Sequence, residues 1–74
     1  MLNTEFNRTT TVYSFFSYKG STTVNEQELI QYLDKSGFFD RNDTASFQLR
    51  KMEYDGDLKR HTFYDDRPTL IELK

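Results

Sequence analysis

The chain has 74 residues, with ten Lys or Arg against twelve Asp or Glu, a net charge of −2, five Tyr, seven Phe, and no Cys or Trp. The absence of Cys rules out disulfide and Cys–zinc staples. The even mixture of charges excludes both a polybasic nucleic-acid tail and the dense carboxylate surface of a DNA mimic. At this length a single domain over 1–74 is expected, with a net stability of about 3–5 kcal/mol. Large aromatic side chains are then the main source of core, each burying on the order of 150–250 Å².

Residues 1–8 are polar and expected to be frayed, with Phe6 as their anchor. Residues 9–18, Thr-Thr-Thr-Val-Tyr-Ser-Phe-Phe-Ser-Tyr, are almost all β-branched or aromatic, which predicts a strand. Val12, Phe16 and Tyr18 would lie on one face of it, and Tyr13 and Phe15 on the other. Lys19-Gly20-Ser21 ends this run. Thr23-Val24-Asn25-Glu26 has the form of a capping box, with the Thr23 hydroxyl on the Glu26 amide and the Glu26 carboxylate on the Thr23 amide. A helix over 24–35 follows, with Leu29, Ile30, Tyr32 and Leu33 as its buried stripe. Gly37 stands where the chain must turn left-handed, and Phe38 where it can pack back on Leu33.

Residues 40–44, Asp-Arg-Asn-Asp-Thr, are turn chemistry. Residues 46–54 read as a strand, the alternative being a short helix capped by Asp43 or Thr44. The strand is preferred because Asp55-Gly56 is a hairpin signal and Leu58–Tyr64 is again β-like. A loop at 55–57 would pair Tyr54 with Leu58, Glu53 with Lys59 and Leu49 with Phe63. Asp65-Asp66-Arg67-Pro68 is the next turn, and Thr69–Leu73 a final short strand. The order β-α-β-β-β predicts an α+β fold, a mainly antiparallel sheet with one helix packed on one face.

The residues of catalysis are scarce. His61 is the single His, set between Arg60 and Thr62 in a predicted strand, where a surface role is the ordinary one. No Ser sits in a Gly-x-Ser-x-Gly motif. Asp65 and Asp66 are adjacent and would point to opposite sides of an extended chain, so they do not form a dyad. No enzymatic activity and no cofactor are expected. Asp40-x-Asn42-x-Thr44 resembles the opening of a calcium loop, but Ala45 and Lys51 stand where Gly and Glu belong, so no metal is expected. Lys19, Ser21 and Thr22, between a predicted strand and a helix N-terminus, form a weak anion-binding candidate.

Binding is the remaining class. Arg50-Lys51 and Lys59-Arg60-His61 would gather on the predicted hairpin, close to Tyr54, Phe63 and Tyr64. Tyr and Arg are favoured anchors of protein interfaces, so the leading expectation is a non-enzymatic protein-binding module, an adaptor or small stoichiometric inhibitor. Its candidate contacts are Tyr54, Arg60, Tyr64, Arg50, Lys59 and Tyr13. An edge strand, either the first or Thr69–Leu73, or an aromatic face would also allow pairing with a second copy. The alternative is a small nucleic-acid-binding regulator that uses the basic hairpin 50–61 in a winged-helix-like arrangement. Against that alternative stand Glu53, Asp55, Asp57, Asp65 and Asp66. The predicted helix 24–35, with Glu26, Glu28 and Asp34, is also too acidic to lie on DNA. The start, Met1–Thr11, has no apolar run of signal-peptide type, and nothing approaches a membrane span. A cytoplasmic location without a membrane partner is expected.

Overall fold

The structure is a computed structural model that describes residues 4–39 and 44–74. Three helices and three short strands follow one another as α1 (Thr4–Lys19), β1 (Thr23–Asn25), α2 (Glu26–Lys35), α3 (Thr44–Tyr54), β2 (Leu58–His61) and β3 (Leu70–Leu73). The strands form one antiparallel sheet in the order β1-β3-β2. The class is α+β as expected, but the order is α-β-α-α-β-β and three helices, not one, build the layer beside the sheet.

The first correction is α1. Residues 9–18, expected as a strand, are helical, and 4–8, expected to be frayed, form the start of the same helix. Helical spacing explains why: Val12, Phe15 and Phe16 fall on one face at i, i+3 and i+4 and all three are buried. Hydroxyls that would compete with the helix are absorbed by it. Thr11 Oγ1 donates to the Asn7 carbonyl at 2.6 Å, and Ser14 Oγ donates to the Thr11 carbonyl at 2.8 Å. β-propensity is a preference of about 1 kcal/mol at most per residue, and burying two Phe and a Val exceeds it. Residues 1–3 lie outside the described residues.

The helix expected over 24–35 is α2, and its stripe holds, with Leu29 and Leu33 buried and Ile30 and Tyr32 packed against them. Its start differs. The Glu26 amide donates to the Thr69 carbonyl at 3.0 Å and is therefore unavailable to Thr23. Thr23 belongs to β1 instead, and Asn25 caps the helix, its Oδ1 accepting from the amides of Gln27 at 2.8 Å and Glu28 at 3.2 Å. Gly37 has φ +87°, the left-handed turn expected of it, and Phe38 packs against the core. Of the turn expected at 40–44, residues 40–43, with the Asp40 and Asn42 positions of the calcium-like pattern, lie outside the described residues, and Thr44 begins α3.

The second correction is α3. Residues 46–54 are helical, so the hairpin pairings of Tyr54 with Leu58, Glu53 with Lys59 and Leu49 with Phe63 do not form. Ala45, Gln48, Leu49 and Met52 make the buried face at i, i+3, i+4 and i+7. Asp55-Gly56 stops this helix: Gly56, at φ +88°, donates to the Glu53 carbonyl at 3.1 Å, and Asp57 donates to the Met52 carbonyl at 2.8 Å. These two bonds are the Schellman pattern. A hairpin and a helix stop both require a left-handed residue, so the same dipeptide serves either.

The true hairpin is β2–β3, in which Leu58 faces Leu73 and Arg60 faces Ile71. Thr69–Leu73, expected to offer an edge, supplies the central strand, with both sides paired to β1 and β2. Val24, Ile71 and Leu58 point from the three strands into the helix layer and meet Leu29, Leu33, Leu49 and Val12 there.

Candidate functional site

Alternation along β2 decides what each basic residue can do. Arg60 stands two residues from the buried Leu58, so it shares the face turned toward the helices. A cation there needs partners, and two helices provide them: Glu26 at the start of α2, and Glu53 near the end of α3 at 3.0 Å from Nε. The Arg60 side chain is only 15% exposed. Burial opposes its charge, but the hydrogen bonds and charges of Glu53 and Glu26 outweigh that, and the guanidinium is held above its ordinary pKa. Lys59 and His61 lie on the opposite face of the sheet, where Lys59 is exposed and His61 Nε2 is 2.9 Å from Glu72 Oε1. The basic run 59–61 is thus divided between two surfaces.

The other candidates separate as well. Tyr13 lies on α1 and is 39% exposed. Burial first, then the charge of Asp57, raises its pKa, so its neutral form is favoured. It lines a shallow groove of about 370 Å³ with Phe16, Ser17, Ser21 and Leu73. Phe15 belongs to the core, with its ring 4.9 Å from that of Tyr32. Lys19 Nζ is 3.5 Å from Glu28 Oε1. The amides of Gly20 and Ser21 donate to the Phe16 carbonyl, and the Thr23 amide donates to Ser21 Oγ at 3.2 Å. Within the anion-binding candidate, Lys19 and Ser21 are thus engaged inside the chain, and the Thr22 carbonyl accepts from the Leu73 amide at 2.8 Å.

Arg50 and Tyr54 are brought together, on the solvent side of α3. Phe47, Arg50, Lys51 and Tyr54 recur at i, i+3, i+4 and i+7 and all are exposed, Phe47 at 71% and Tyr54 at 92%. Glu53, the one carboxylate of α3, faces Arg60 instead. Phe47 was absent from the expected contacts; helical spacing counted over 47–54 would have found it.

Tyr64 is fully exposed in the β2–β3 loop, and that loop is internally braced. Arg67 lies over the Phe63 ring at 4.1 Å, its Nε is 3.0 Å from each Asp65 oxygen, and its amide donates to Asp65 Oδ1 at 2.9 Å. The side-chain bond from Arg67, then the backbone one, holds the Asp65 carboxyl below its ordinary pKa. Among the described residues no group of three or more His, Asp or Glu could hold a metal ion, and no helix is long and apolar enough to cross a membrane. Compared with protein-family models, with curated proteins and with solved structures, the chain matches none.

Proposed function

We propose that the protein binds nucleic acid through the outward face of α3. The observation that carries this reading is the exposed Phe47-Arg50-Lys51-Tyr54 stripe on the second of two successive helices. The connectivity α1-β1-α2-α3-β2-β3, with a sheet ordered β1-β3-β2, is that of a winged helix-turn-helix, whose second helix is the one applied to DNA. Architecture alone does not assign function, so the weight falls on charge. The acidic α2 is not the exposed recognition element in this arrangement. Of the carboxylates that argue against nucleic acid, Glu53 is ion-paired with Arg60, which Glu26 shares, and Asp65 with Arg67, while Asp55, Asp57 and Asp66 are exposed.

Affinity for a mixed pool of oligonucleotides should fall linearly in log K against log salt, and Arg50→Gln should flatten that slope by about 0.7–0.9 for the lost phosphate contact. Binding that ignores salt, or its absence at low salt, would refute the reading.

The second reading is a protein-binding module, an adaptor or stoichiometric inhibitor. It is favoured by the net charge of −2 and by exposed Tyr beside Arg, the composition of interface anchors. Affinity capture repeated after nuclease treatment separates the two. A protein partner that survives nuclease and is lost with Tyr54→Ala or Tyr64→Ala supports this second reading, with a homo-oligomer as one form of it.

A further inference from the structure

Two large rings flank two cations along one exposed helix face, and this pattern narrows the ligand. Helical rise places Phe47 and Tyr54 about 10 Å apart along the axis of α3, with Arg50 and Lys51 between them. The grooves of a duplex present base edges, so a ring on a groove-bound helix meets only edges and methyl groups. An unpaired strand presents the flat faces of its bases, on which exposed aromatic side chains stack, and its phosphates seek the intervening cations. Phe47 and Tyr54 remain in water although each carries area a core could use. Glu53, the α3 carboxylate beside Arg50 and Tyr54, is ion-paired with Arg60, so Arg50 is left to offer its charge to a phosphate chain.

We propose that this face binds single-stranded nucleic acid. Phe47 and Tyr54 stack on two bases, and Arg50 between them neutralises a phosphate. At roughly 3.4 Å per stacked base the 10 Å span corresponds to about three steps, a short segment of three to four nucleotides. The inference rests on the nucleic-acid reading above and specifies the form of the target.

The test is fluorescence anisotropy with one labelled 12-nucleotide sequence as single-stranded DNA, as single-stranded RNA and as the DNA duplex. The proteins compared are wild type, Phe47→Leu, Tyr54→Leu and Arg50→Gln, each checked for native circular dichroism. Either single strand should bind more tightly than the duplex, and the better of the two identifies the sugar preferred. Phe47→Leu and Tyr54→Leu keep an apolar side chain but remove the stacking face, and each should weaken single-strand binding roughly five-fold or more. Arg50→Gln should mainly flatten the salt dependence. A duplex bound as tightly as the strands, or Leu variants that bind like wild type while Arg50→Gln weakens binding, overturns this inference and leaves the broader reading standing. No binding to any of the three at low salt overturns both.

Discussion

Arg60 shows how one position can exchange a surface role for a structural one. Its neighbours Lys59 and His61 face out from the sheet, while Arg60 is turned inward and joined to Glu26 and Glu53, so a single side chain ties β2 to α2 and α3. Removing it would leave two carboxylates facing each other in a partly buried place. Arg60→Ala should therefore destabilise the fold by about 2–3 kcal/mol, less than the 3–5 kcal/mol of a fully buried pair because some solvent reaches it. Urea unfolding of the variant measures this. A loss under about 0.5 kcal/mol would mean the network contributes no more than a surface pair. The alternation of β2 was legible in the sequence, but the partners were not, because Glu26 and Glu53 lie 34 and 7 residues away and meet Arg60 only after the helices dock.

At the scale of elements, helix ends were easier to read than helix bodies. Gly37 was identified as a left-handed stop from its place after a hydrophobic stripe, and it has that conformation. Asp55-Gly56 was expected as a hairpin turn, and Gly56 instead takes the left-handed conformation at the end of α3. The consequence for stability is the same in kind: no side chain would clash, since nothing lies within 4 Å of an added Cβ, yet φ +88° is strained for any L-residue. Gly56→Ala should cost about 1–2 kcal/mol, seen as a lower urea midpoint with an unchanged slope. An unchanged midpoint would show that the end of α3 relaxes without loss. The bodies of α1 and α3 differ from the expected strands for different reasons. α1 is rich in Thr, Val, Phe and Tyr, which fit a pleated surface, whereas α3 is mostly good helix formers and its strand reading comes from the hairpin signal at Asp55-Gly56.

The whole molecule is small enough for one core residue to matter. Leu29 and Leu33 of α2, Val12 of α1, Leu49 of α3, Leu58 of β2 and Ile71 of β3 meet in a single cluster, with no second core among the described residues. Leu29→Ala, at a site with no exposure, should cost about 2–5 kcal/mol, comparable to the roughly 3–5 kcal/mol expected in total. The variant should be largely unfolded by circular dichroism at 37 °C. A cooperative transition close to that of wild type would mean the domain is more stable than its size implies.

The sequence by itself determined the α+β class, the α2 stripe, the left-handed turn at Gly37 and the weight of aromatic side chains available to a core. These follow from local chemistry: periodicity, glycine and side-chain volume act over a few residues. Only the tertiary structure decided that 9–18 and 46–54 are helices, that β3 is central, and which aromatics stay outside. Those outcomes depend on which apolar faces find each other across the chain, and burial against a distant partner outweighs the small backbone preferences of the residues involved. Phe15 was drawn into the core, while Phe47 and Tyr54 were left on the far side of α3 beside Arg50.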